Sequence, residues 1–451
     1  MPYLIKDLEK LVAVPSIRDL NTKKEDAPFG ENISKAFDEF LTIAKREGFR
    51  TEDFNGYAAH AEIGSGDEFI GVLGHLDVVP IFNPDQWHSD PFKMTERDGF
   101  LYGRGVNDDK GPILAALYSV KILKELNLDM KRRVRIIVGG AEETTWECMK
   151  YYFSKNPQPV YGFSPDGDFP IVNGEKGIMY YSYRLDEATK DDNKHNLAKV
   201  CSKDEDGFVC DFIEAEFITK DEKELKSLLK RASSVEIKDN KVRVTYEGKR
   251  ALSRHPERGE NAAFKFGKDL CEIRELNSKG KALRNILEKY FIDSIYGENI
   301  GLNVDDKEMG NTTMCLMNLF FREEDFCIKF DFRYPKGIKK EKVKDTFKRI
   351  ADENGLIYEI TKELDMLYVS PESELISSLK SAYNEVMGEE AELISKGAAS
   401  YARTLKEGVA FGPTLIGDVP NSHKANENIK IETLEKAIEI YCNAIYLLAC
   451  R

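Results

Sequence analysis

The apolar positions of this chain change their spacing twice, and the changes mark out its organisation. In the first 180 residues, helix-spaced and strand-like runs alternate. PFGENISKAFDEFLTIAKREGF (28–49) repeats apolar residues three and four apart and predicts an amphipathic helix, whereas DEFIGVLGHLDVVP (67–80) predicts a buried strand. GPILAALYSVKILKELNL (111–128) predicts a further helix and RRVRIIVGGAEET (132–144) a further strand. This alternation predicts a layered βαβ sheet. From about 181 to 366 the runs become short and charged, as in SSVEIKDNKVRVTYEGKRAL (233–252) and DFCIKFDFRYPKG (325–337), and predict an α+β unit on an antiparallel sheet. The first pattern then resumes and ends in IETLEKAIEIYCNAIYLLACR, where Leu434, Ile438, Tyr441, Ile445 and Leu448 fall at helical spacing. The expected architecture is an α/β domain with a mixed sheet, formed by 1–180 and 367–451, with an α+β domain inserted at 181–366.

Bulk properties narrow the function classes. A chain of 451 residues exceeds what one core usually serves, which agrees with two domains. The net charge of −13 argues against a nucleic-acid partner, which would demand a basic surface. No apolar run approaches the roughly 20 residues that span a bilayer, and MPYLIKDLEKLVAVPSI lacks the pattern of a signal peptide. No membrane association is expected, and the expected location is the cytoplasm. The eight cysteines form no CxxC and read as reduced packing thiols. The basic stretch KKEKVKDTFKR (339–349) carries Val343 and Phe347 one helical turn apart and reads as a solvated helix face rather than a phosphate site.

The candidate chemistry sits at strand ends. In GVLGHLDVVP, His75 and Asp77 point to the same side of a strand, so imidazole and carboxylate can meet one site, with Asp77 orienting the ring. In LYGRGVNDDKGP, Asp108 and Asp109 stand before a helix, where an N-cap is the simple reading. The glycines there do not match a nucleotide-binding loop. Glu142 and Glu143 leave an apolar strand together, and such a pair is costly without a cation unless it forms an exposed acidic turn. Asp166 in SPDGDFP and His423 in NSHKANE each read alone as loop residues. Together these groups form a hard oxygen and nitrogen ligand set at the exits of sheet strands, suited to zinc, manganese or cobalt and to metal-assisted hydrolysis.

With PFG, GHLDVVP, LYGRGVNDDKGP, GGAEET, SPDGDFPIVNGEKG and YARTL…FGPTLIG…SHKANE in this order, the chain resembles the di-zinc metallopeptidases. That family includes carnosinase, aminoacylases, glutamate-releasing carboxypeptidases and bacterial dipeptidases, and the likeness is strongest to the dipeptidase V type. The resemblance implies that Asp108 bridges two divalent ions, zinc foremost. His75 and Asp166 would complete one ligand set, and Glu143 and His423 the other. Asp77 would orient His75, and Glu142 would be the general base that moves a proton from the attacking water to the leaving amine. The inserted domain would be a lid, Arg333 would grip a substrate carboxylate unless it is simply an exposed strand-end arginine, and the molecule would act on small peptides as a monomer or homodimer.

The lid motif departs from the family. Its register, fixed by Gly248-Lys249 and by Pro256, Gly259 and Asn261-Ala262, puts Leu252 where relatives carry a histidine that contacts the substrate carbonyl. His255 lies three positions later and reads as a surface residue. Leucine donates no hydrogen bond, and loss of one such donor costs about 10²- to 10³-fold in rate. KGAASYAR is poorer in glycine than its counterparts, and Asn196 is the nearest match to a family asparagine. Two functions follow: a metal-dependent dipeptidase, with a deacylase or carboxypeptidase as its near relative, or a metal-binding homologue that no longer hydrolyses peptides.

Overall fold

A computed structural model describes residues 1–185, 191–321 and 326–451. The chain divides into two compact units, Met1–Gly174 with Leu367–Arg451, and Glu175–Met366. The first seam falls ahead of residue 180 because strand Gly177–Leu185 pairs along its length with Phe326–Tyr334 and Ile357–Leu364 of the second unit.

The first unit is α/β around a nine-stranded mixed sheet. Its centre is parallel: Phe69–His75 lies between Arg133–Gly139 and Tyr161–Ser164, and Gly408–Ala410 continues beyond Tyr161–Ser164. Antiparallel strands Ala58–Ile63 and Arg50–Phe54 close one edge. Every residue of Phe69–His75 is buried, as a strand covered on both faces requires. Helix Lys110–Glu125 is buried on nearly all sides rather than along one stripe. The C-terminal helix Ile431–Ala449 buries Leu434, Tyr441, Ile445 and Leu448 as its spacing predicts, but its fully buried turn runs through Ile440, leaving Ile438 half-buried.

The second unit is α+β, with an eight-stranded sheet whose pairs are all antiparallel. The run 233–252 forms the hairpin Ser234–Lys238 and Lys241–Glu247. The run 325–337 supplies Phe326–Tyr334, with Asp325 outside the described residues. Helix Lys340–Asn354 buries Val343 and Phe347, and Phe347 packs on Tyr181 and Phe330 while the basic positions face out. The eight cysteines are unpaired, and among the described residues no helix is long and apolar enough to cross a membrane.

Candidate active site

Register places the chemistry. In the parallel centre of the first unit, His75 is opposite Gly139 and Val72 is opposite Phe163, so three neighbouring strands finish at one edge. His75 ends the first strand, Glu142 and Glu143 follow the second, and Asp166 follows the third. Asp108 arrives on the turn before helix Lys110–Glu125, and His423 on the loop before strand Asn428–Lys430. The carboxyl edge of parallel strands is where open α/β sheets build their sites.

Asp108 lies between the two imidazoles. Its Oδ1 is 3.0 Å from His75 Nε2 and its Oδ2 is 3.0 Å from His423 Nε2. His423 Nε2 is also 2.9 Å from Glu143 Oε1, and His75 Nε2 is 3.9 Å from Asp166 Oδ2. His75, Asp108 and Asp166 thus form one group of converging ligand atoms, and Asp108, Glu143 and His423 a second that shares Asp108. Neighbouring ligand atoms of a tetrahedral zinc with bonds of about 2.0–2.1 Å stand about 3.3 Å apart. The observed spacings bracket that value, and the donors are hard oxygen and imidazole nitrogen, so these residues fit divalent cations.

The orientation of the His75 ring follows from its other nitrogen. Nδ1 donates to the Asp77 carbonyl oxygen at 2.8 Å, since a carbonyl can only accept, and this turns Nε2 toward Asp108. The orienting contact expected from the Asp77 carboxylate is therefore made more closely by its backbone; the carboxylate Oδ1 stands 3.6 Å away. That carboxylate instead accepts the backbone N–H groups of Glu142 and Glu143, both at 3.1 Å, and pins the turn that carries them.

Electrostatics separates the carboxylates. Burial, reinforced by Asp166, pushes the Glu142 carboxyl well above the usual carboxylate range. Burial and the neighbouring Asp108 push Asp166 up to about 7. Burial opposes a charged His423, but Asp108 and Glu143 hold its ring up to about 11 although its side chain is 53% exposed. No side-chain donor among the described residues engages the Glu142 carboxylate, which lies within 4.8 Å of His75 and Glu143 ligand atoms.

Sequence reasoning gave no site role to three residues here, reading Asp109 only as an N-cap and leaving out Glu427 and Arg104. Asp109 is fully buried and accepts the His75 N–H through Oδ2 at 3.1 Å. Gly74 makes room for it, since a Cβ there would come within 2.1 Å of that oxygen. Glu427 and Arg104 are buried and paired at 2.6 Å beneath the Asp108 turn. Their partners are backbone atoms or residues hundreds of positions away, and neither leaves a spacing signal.

The remaining candidates lie in the second unit. Arg333 is not an exposed strand-end residue: it is 6% exposed, and its Nε and Nη2 contact Asp331 Oδ2 at 2.9 and 2.8 Å. Ser253, next to Leu252, is buried and donates to the same oxygen at 2.6 Å. Leu252 is 39% exposed, and His255 is half-buried, 3.3 Å from Glu257. Asn196 is occupied locally with Asp192 and Asn193.

Comparison with known proteins places the chain. The model of peptidase family M20/M25/M40 matches residues 71–447. A Bacillus subtilis protein named "Putative dipeptidase YtjP" is 34% identical over 460 residues, covering 99% of this chain and 97% of that protein. Among solved structures, human carnosine dipeptidase 1 superposes with a TM-score of 0.56 at 16% identity, covering 99% of this chain and 97% of that one. The M20 family metallo-carboxypeptidase Sso-CP2 from Sulfolobus solfataricus gives 0.60 at 19% identity, covering 99% of each. These two show the shared fold, and the family match with the end-to-end relative shows descent: the chain belongs to peptidase family M20/M25/M40.

Proposed function

We propose that this protein is a metal-dependent dipeptidase. The observation that carries the reading is the carboxylate of Asp108, with one oxygen 3.0 Å from each of two histidines that lead separate ligand groups. His75 and Asp166 would hold one divalent cation with Asp108, and Glu143 and His423 the other, with zinc, manganese and cobalt all suited to the donors. Bound there, the cations supply Lewis acidity, acidifying a water and polarising the scissile carbonyl. Glu142 has the remaining work. Its carboxylate takes the proton from the attacking water and delivers it to the departing amine, a role open to it because no side-chain donor among the described residues engages it.

A cavity of about 480 Å³ opens beside Asp108 and Asp166, with Phe169, Ile394, Leu415 and Ile416 in its wall. Beyond Asp108 and Asp166, its acids Asp168 and Asp418 are ion-paired to Lys396 and Lys430, so these four apolar side chains favour an apolar substrate side chain. Arg333, its guanidinium held by Asp331, is the candidate for a substrate carboxylate. The test is hydrolysis by zinc- or manganese-loaded protein of dipeptides with unmodified and with acylated amino termini. Rapid cleavage of the former alone supports the dipeptidase; cleavage of the acylated set alone makes the protein a deacylase.

Leu252 favours a second reading, a metal-binding homologue impaired in hydrolysis, because leucine offers no donor to a developing oxyanion. Leu252→His separates the two. A gain in turnover supports an intact scaffold lacking its donor, and no gain gives the motif another role.

A further inference from the structure

The two ligand groups do not rest on equal foundations. His75 closes a fully buried strand in the middle of the sheet. His423 rides on a half-exposed loop with little regular structure, and Asn421, His423 and Asn426 on that loop all have φ between 56° and 64°, the left-handed region that non-glycine residues seldom occupy. A loop of this kind does not hold an imidazole against Asp108 by itself.

Glu427, four residues further on, ties the loop down. Its Oε1 accepts the backbone N–H groups of Gly105, Asn107 and Asp108 at 3.0, 3.1 and 3.2 Å. Its Oε2 accepts Arg104 Nη1 at 2.6 Å, and its own carbonyl accepts the Gly103 N–H at 3.1 Å. The side chain is fully buried, where an ionised carboxylate persists only with such partners. A second tie runs from Asn107 Nδ2 to Ser422 Oγ at 3.1 Å. The turn that presents Asp108 and the loop that presents His423 are thus clasped through one carboxylate.

We propose that Glu427 is a positioning residue that fixes His423 against Asp108, so that its loss weakens the Asp108–Glu143–His423 ion more than the His75–Asp108–Asp166 ion, whose other ligands stand on the buried sheet. The proposal rests on the two-ion reading above. Partners that orient metal ligands typically contribute 10- to 100-fold in affinity.

The test is metal stoichiometry of the full chain, measured by mass spectrometry after dialysis against buffered zinc, with thermal melting of the metal-free proteins alongside. Wild type should retain two ions. Glu427→Gln keeps an acceptor oxygen and should retain one tightly, binding the second about 10- to 100-fold more weakly. Ser422→Ala removes only the second tie and should weaken the same ion by a smaller factor, which gives a reading even where a Glu427 variant fails to fold. Two ions held at wild-type affinity in both variants would overturn the proposal. So would equal loss of both ions together with a lowered melting temperature, the signature of a merely structural residue. A wild type that binds no zinc would instead overturn the peptidase reading on which the proposal stands.

Discussion

The sheet of the first unit carries two buried polar clusters built on opposite principles. At the outer strands, Glu62 meets three guanidinium groups, with Arg50, Arg133 and Arg135 at 3.0, 2.9 and 2.6 Å. Arg135 also donates to Tyr152 Oη at 3.1 Å, and that hydroxyl stands 2.9 Å from His60 Nδ1. At the strand exits, Asp77, Asp108, Asp109, Glu142, Glu143 and Asp166 crowd around His75 and His423. Among the described residues, none of those six carboxylates is ion-paired to lysine or arginine. Burying charge without a matching cation costs several kcal/mol, so a fold that supplies arginines to one acid, and only histidines and backbone N–H groups to six, supports the proposal that the second place receives cations from outside. A buried carboxylate matched by the chain's own cations is holding the sheet together, and a set left unmatched marks a site.

The largest effect expected from this contrast is on catalysis. Glu142→Gln removes a base and no ligand, so hydrolysis of a good dipeptide should fall by at least about 10²- to 10⁴-fold while the retained metal stays at the wild-type level. Unchanged turnover would remove Glu142 as the base. The next effect is on stability, with opposite signs in the two clusters. Glu62→Gln strips the partner from buried Arg135 and should destabilise the protein by about 3 kcal/mol in urea titrations. Asp166→Asn relieves like-charge crowding and should stabilise the metal-free protein by about 1 kcal/mol while weakening metal binding. The same sign in both variants would break the comparison.

The smallest effect is a pH dependence at the outer cluster. Burial, aided by Arg135, lowers the His60 pKa from 6.5 to about 4. The folded state therefore resists a proton that the unfolded chain accepts. The stability that His60 allows is fully present above pH 6.5 and is lost as pH falls from there toward 4. In His60→Gln, the decline of the melting temperature across that window should be shallower than in wild type, and an equal decline would show that other groups control it.

What the sequence made legible was set by how far each signal reaches along the chain. Strand-end positions of His75, Glu142 and Glu143 could be read because an apolar run stops just before them, and register then aligns those ends. The family motifs extended that reading to Asp108, Asp166 and His423. The buried state of Arg333 could not be read, because Asp331 and Ser253 close over it from one strand and a separate loop. Side-chain alternation linked Asp77 to His75 but could not tell that the carbonyl would take the ring while the carboxylate took two N–H groups of a distant turn. Glu427 stood in plain view within SHKANE, yet most of its partners are backbone amides of residues 103–108, which no pattern of side chains records.

The central claim is that the unmatched carboxylates at the strand exits hold two cations across Asp108. Anomalous diffraction from crystals of the zinc-loaded protein tests it most directly. Two peaks about 3.5–4 Å apart, one beside His75 and Asp166 and one beside Glu143 and His423, are the predicted result. Zinc bound elsewhere, or no peak within reach of Asp108, would contradict it.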